Sequence, residues 1–204
     1  MSLNLRSRTS SSIRWVFLSL ALLAAGCERT PPIPGNPVSP TAATTLPAYD
    51  RADWPQWIDQ DGDCQDTRQE VLIDESLIAP ALDARGCRVV AGRWRDEYTG
   101  AEYTDPSDIE IDHRVPLANA HRSGGWAWDR SRKRDYANDL GDPEHLVAVA
   151  AATNRNKGDK GPEAWRPPLR ESWCRYATTW RAIKQRWDLS VTAEEERALT
   201  EMCS

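Results

Sequence analysis

The stretch Asp108-Ile109-Glu110-Ile111-Asp112-His113-Arg114-Val115-Pro116 decides how this chain is read. Ile109 and Ile111 alternate with polar residues between Ser107 and His113, which predicts a half-buried strand. Pro116 prevents the strand from continuing in a central position. Adjacent residues on a regular strand point to opposite faces. Asp112 and His113 can therefore serve one site only where the strand ends, and Pro116 supplies that end. A carboxylate beside an imidazole can serve a metal ion and a water molecule together. Further on, His145 to Ala148 predicts a short apolar strand, and Val149 to Lys157 a helix stopped by Gly158. That helix carries Asn154-Arg155-Asn156-Lys157-Gly158-Asp159. Asn154 and Lys157 stand at i and i+3, on one helix face. A small site between a hairpin and a helix follows.

The flanks add helices. Asp66 to Ile78 predicts an amphipathic helix capped by Asp66 or Thr67. Cys87 to Trp94 predicts a strand, and Asp96 to Asp105 a hairpin-like turn around Gly100. Leu117 to Arg122 predicts a short helix closed by Gly124-Gly125, and Asp129 to Asn138 a charged helix. Glu171 to Trp187 places Trp173, Tyr176, Ala177, Trp180, Ile183 and Trp187 at helical spacing, a stripe read as core. Thr192 opens a last helix with a capping-box pattern completed by Glu195.

The N-terminus reads as an export signal over residues 1–26. Arg6, Arg8 and Arg14 form its basic end, and Trp15 to Ala25 its apolar run, too short to span a bilayer as a mature helix. Leu22-Leu23-Ala24-Ala25-Gly26-Cys27 resembles a bacterial lipobox, with Ala24 where Leu is usual. That reading lipidates Cys27 and anchors the protein to a membrane of a bacterial cell envelope. An ordinary signal peptide that leaves Cys27 free is the alternative. Residues 27–48 are proline-rich and read as a tether. Residues 49–204 are the size of one domain. Cys64, Cys87, Cys174 and Cys203 remain, an even number that suggests two disulfides in an exported domain. Three pairings are possible. Cys64–Cys87 and Cys174–Cys203 are favoured because each pair flanks one local segment. A zinc site is disfavoured by the absence of any Cys-x-x-Cys.

Charge is informative by region. The whole chain carries −5, and removing the three arginines of residues 1–26 leaves −8. Residues 50–110 hold 6 basic and 16 acidic groups, whereas residues 111–166 hold 10 basic and 8 acidic. The motif therefore lies in the basic part of an acidic protein. Nucleic-acid binding there would be modest and salt-sensitive. Asp59 to Glu70 superficially resembles a calcium loop, but Cys64 occupies the sixth position, where glycine is needed.

These motifs, in this order, resemble the HNH endonucleases of the ββα-metal superfamily, and small exported bacterial members in particular. The likeness runs from Asp63-Cys64-Gln65-Asp66-Thr67-Arg68 through Asp112-His113 to Asn154-Arg155-Asn156-Lys157-Gly158-Asp159-Lys160 and Trp165-Arg166-Pro167-Pro168. It implies an α+β fold with a ββα-metal core and additional flanking helices. It implies phosphodiester hydrolysis with one divalent ion, products carrying 5′-phosphates, and DNA or RNA as partner. His113 matches the general base, and Asp112 and Asn154 match the metal ligands. His145 stands where many members place an asparagine that orients the base. Hard oxygen ligands suit Mg²⁺ or Mn²⁺. Arg114, Arg155, Lys157 and Lys160 are the nearest candidates for phosphate contacts. No obligate protein partner is evident. Two rival readings are an inactive HNH scaffold that binds nucleic acid or an envelope partner, and a zinc hydrolase built on His113, His121 and His145.

Overall fold

The computed structural model describes residues 46–204. The expected export signal, Cys27 and nearly all of the tether lie outside the described residues. The elements in chain order are α1 (Thr67–Asp74), β1 (Ala81–Leu82), β2 (Val89–Ala91), β3 (Trp94–Arg95), β4 (Glu102–Tyr103), β5 (Ile109–His113), α2 (Leu117–Arg122), α3 (Arg130–Ala137), β6 (Leu146–Ala150), α4 (Ala151–Lys157), α5 (Trp173–Arg186) and α6 (Ala193–Glu201). They form three two-stranded antiparallel sheets, β1–β2, β3–β4 and β5–β6. The expected α+β class holds, and β5, β6 and α4 form the ββα unit. No helix of the described residues is long and apolar enough to cross a membrane.

The β5–β6 pairing is the spine. Ile109 lies opposite Ala150 and His113 opposite Leu146. Every residue of β6 is buried, because hydrophobic cores cover both of its faces. Leu146 and Ala148 join Ile109, Ile111, Val71, Leu72, Val89 and Trp94 in one core. Val147 and Val149 join Val115, Leu117, Tyr136, Trp165, Tyr176 and Trp180 in the other. The half-buried reading of β5 is corrected for the same reason: only Glu110 along it reaches solvent appreciably. The alternation signals which side chains share a face, but not whether a second layer covers that face.

Helix starts follow their caps. Asp66 accepts from the Gln69 amide at the start of α1, and Asp129 from that of Arg132 at the start of α3. The Thr192–Glu195 capping box is complete at α6. Helix α1 ends at Asp74, short of the expected Ile78, and Leu77 and Ile78 stay exposed. The expected strand from Cys87 to Trp94 is broken into β2 and β3 at Gly92, where a Cβ would meet the Trp94 ring at 2.5 Å. Both favoured disulfides are present, Cys64–Cys87 and Cys174–Cys203. In α5, Trp180 is fully buried, whereas Trp173 and Trp187 pack partly buried on the same core. Lys184 of α5 donates to both Glu195 oxygens (2.6 and 2.7 Å) and to Ser123 (2.9 Å), while Asn119 of α2 donates to Glu195. That buried network fastens α2, α5 and α6 together.

Candidate active site

A cleft opens at the C-terminal end of β5. It is lined by Glu110, Asp112 and His113 from β5, Asn154 and Arg155 from α4, Gly158 and Asp159 just after it, and Tyr49 and Arg51 from the N-terminal arm. A separate depression is lined by Asp63, Glu70, Asp74, Glu75, Asp139 and Asp142. Its carboxylates would repel a phosphate, so the first cleft is the candidate.

Because β5 ends at His113, Asp112 and His113 diverge and both still reach the cleft. The His113 ring is buried. It stacks on Trp57 and Tyr136, with centroids 5.7 and 6.4 Å away. Its Nε2 lies 3.0 Å from the Ala137 carbonyl oxygen. A carbonyl only accepts, so Nε2 carries the proton and Nδ1 keeps a lone pair. Burial, followed by the neighbouring His145, lowers the His113 pKa to about 3, so the ring is neutral at ordinary pH. Asn138 holds the Ala137 carbonyl in place. Its Oδ1 accepts from the Ile58 amide and Thr67 hydroxyl, and its Nδ2 donates to Pro55 and Arg134 carbonyls. Asn138 thereby helps to orient the imidazole through the Ala137 carbonyl.

His145 does not hydrogen-bond His113. The two rings meet edge to face at 6.2 Å, and neither His145 ring nitrogen has a hydrogen-bond partner. Nearby, Asp139 Oδ2 lies 3.9 Å from His145 Nδ1. The hydrogen bond to His113 expected from position 145 is made instead by the Ala137 backbone carbonyl, which no side-chain motif reveals. Burial also lowers His145 to about 3.

On the other face of β5, Asp112 is already partnered. The Tyr98 hydroxyl donates to Oδ2 at 2.8 Å. Lys157 Nζ donates to Oδ1 at 2.9 Å and lies 2.8 Å from Oδ2. Lys157 also donates to the His113 carbonyl at 3.0 Å. Burial and the Asp112 charge keep the Tyr98 hydroxyl protonated, as its pKa is pushed well up. Both Asp112 oxygens are therefore already engaged by internal donors in this arrangement. Two residues back on the same strand face, Glu110 takes a hydrogen bond from Asn154 Nδ2 at 2.9 Å and from Arg155 at 2.8 Å. The expected ligand Asn154 thus sits in the cleft, but its carboxylate neighbour is Glu110.

The four expected phosphate cations divide. Arg155 and Lys160 are exposed, and Lys160 donates to the Asn156 carbonyl. Lys157 and Arg114 are buried, so neither can meet a phosphate at the surface. Arg114 pairs with Glu97 and Glu144. Sequence spacing shows a cation near the motif but not which way it turns. Arg51, which lines the cleft and donates to Gln56, was missed because it lies in the acidic part of the chain.

The rival ligand sets fare differently. His121 is buried rather than on the surface of α2, with Nε2 lying 2.8 Å from the Pro47 carbonyl oxygen. Among the described residues, Asp59, Asp61 and Asp63 are the one group of three His, Cys, Asp or Glu side chains close enough for one ion. The three histidines of the zinc reading do not assemble. Asp59 accepts from the Gly62 and Cys64 amides, which builds the turn itself.

The family described as GmrSD restriction endonucleases, C-terminal domain, matches residues 66–202. An uncharacterized secreted protein of Arthroderma benhamiae is 36% identical over 204 residues, covering 93% of this chain and 98% of that protein. It is a fungal protein, so the match lends no support to the bacterial placement expected from the sequence. No solved structure matches.

Proposed function

The chain belongs to the family of the GmrSD restriction endonuclease C-terminal domain, and from that premise we propose that it is an exported, metal-dependent endonuclease of HNH type. The observation that carries the reading is His113: neutral, cleft-lining and held by its Nε2–H on the Ala137 carbonyl, with the Nδ1 lone pair free. In this reading Nδ1 takes the proton from the water that attacks phosphorus. The carbonyl and the stacked Trp57 and Tyr136 rings fix the imidazole plane, so little orientation is lost during the step. Imidazolium formed there sits beside a bound phosphate, whose negative charge favours it. Arg51 and Arg155 flank the cleft and supply phosphate contacts, with Lys160 further along the surface.

The cleft donors fit one hard divalent ion, Mg²⁺ or Mn²⁺, with Asn154 among its ligands. When bound, such an ion would stabilise negative charge on the phosphate and leaving oxygen. DNA is the favoured substrate class, with low base specificity, because the sequence shows no helix-turn-helix or zinc-finger pattern for base readout. Export rests on the N-terminal signal and is supported by the secreted relative. A lipid on Cys27 rests on the lipobox-like stretch alone.

The test is incubation of supercoiled plasmid, and separately of single-stranded RNA, with purified protein and Mg²⁺ or Mn²⁺. Nicking that EDTA abolishes supports the reading. Binding without cleavage in any divalent ion would replace it with an inactive scaffold. Cleavage confined to RNA would correct the substrate.

A further inference from the structure

We propose that Glu110, not Asp112, is the carboxylate that binds the divalent ion together with Asn154. The inference rests on the metal-dependent reading above and deepens it. Both carboxylates lie on one face of β5, two residues apart, and both line the cleft. They differ in what holds them. The Asp112 side chain is 6% exposed and its partner Lys157 is 0% exposed. The ammonium covers both oxygens, and Tyr98 adds a third hydrogen bond. The pair is neutral as a unit, so it attracts a dication weakly. Drawing Asp112 onto an ion would strand the Lys157 charge in the interior, which is costly.

Glu110 has neither restraint. Its side chain is 38% exposed and its ionic partner Arg155 is 67% exposed. Arg155 can leave for water at little cost. The second partner is Asn154 Nδ2. Rotating that amide by half a turn replaces nitrogen with Oδ1 in nearly the same place. One rotation therefore turns a hydrogen-bonded pair into two oxygen ligands facing the same point. The same step frees Arg155, which lines the cleft, for a phosphate. Asp112 and Lys157 become a positioning pair, because Lys157 also grips the His113 carbonyl.

The experiment is Mn²⁺ titration of the full-length protein, read by the electron paramagnetic resonance signal of free Mn²⁺. Wild type, Glu110→Gln, Asp112→Asn and the double variant Asp112→Asn/Lys157→Met are compared, with circular dichroism as the folding control. Glu110→Gln is expected to weaken Mn²⁺ binding at least about tenfold while remaining folded. The double variant removes both charges together and keeps the core neutral, so it covers the case in which Asp112→Asn does not fold. It is expected to bind within about threefold of wild type. Wild-type affinity in Glu110→Gln, with loss in the double variant, would return the ligand to Asp112 and overturn the inference alone. If wild type binds no Mn²⁺ and cuts plasmid in EDTA, the metal-dependent reading falls as well.

Discussion

Two charge clusters share one face of β5 and behave as opposites. Asp112, Lys157 and Tyr98 form a closed cluster with hydrogen bonds satisfied inside the protein. Glu110, Asn154 and Arg155 form an open one at the cleft wall. Both pair a β5 carboxylate with a cation from α4. The difference lies in what covers them. Tyr98 and Trp165, in contact edge to face, belong to the core on the side of the closed cluster, whereas Glu110 and Arg155 of the open one remain solvent-exposed. A buried ion pair holds geometry, and an exposed pair is free to exchange partners. The same strand thus supplies the framework that fixes His113 and the polar wall that can meet a ligand.

The division predicts unequal costs. The largest should come from Lys157→Met, which leaves the buried Asp112 charge without its ammonium. Loss of about 3–5 kcal/mol in urea unfolding is expected. An effect below about 1 kcal/mol would mean that the closed cluster is not a structural element.

Acid comes next, and it acts through the histidines beside that cluster. His113 and His145 are lowered by burial from 6.5 to about 3. Below pH 6.5 the unfolded chain takes up protons that the folded chain refuses. Their contribution is therefore complete above pH 6.5 and declines as pH falls toward 3. Glu75 works in the opposite sense: burial raises it from 4.5 to about 7, so it adds stability as pH falls from 7 to 4.5. Glu70 and Asp139 are raised by burial in the same sense as Glu75, so together they offset part of the two histidines' effect, leaving a net loss of at most about 1.4 kcal/mol per pH unit between pH 6.5 and 4.5. Thermal midpoints measured across that range should fall steadily. A flat profile would show that the rings are not buried neutral.

Arg51→Ala should leave stability near wild type and weaken DNA binding several-fold, with the salt dependence reduced by about one unit in the log–log slope. Unchanged salt dependence would take Arg51 off the phosphate path. The smallest effect belongs to Arg155→Ala, which opens an exposed pair. A stability change below about 1 kcal/mol is expected by urea unfolding, in contrast to Lys157→Met two residues away on the same helix. A large loss there would erase the distinction between the clusters.

What was legible in advance was local. Leu117–Arg122, the Thr192–Glu195 box and the Asp66 and Asp129 caps depend on short-range hydrogen bonds that a sequence displays. The disulfide pairs were legible because each closes one local segment. The strand end at Asp112-His113 was legible from Pro116. What stayed hidden depends on distant partners. Tyr98 reaches Asp112 from the loop between β3 and β4, Ala137 reaches His113 from the end of α3, and Glu97 and Glu144 draw Arg114 inward. Burial of Lys157 and Arg114 follows from those contacts, and no spacing rule encodes it.

The most direct test of the chemistry is the rate at which His113→Ala nicks supercoiled plasmid in Mn²⁺, beside wild type under the same conditions. A fall of about 10²–10⁴-fold with the folded state retained is expected for loss of a general base. Nicking at the wild-type rate by folded His113→Ala would contradict it.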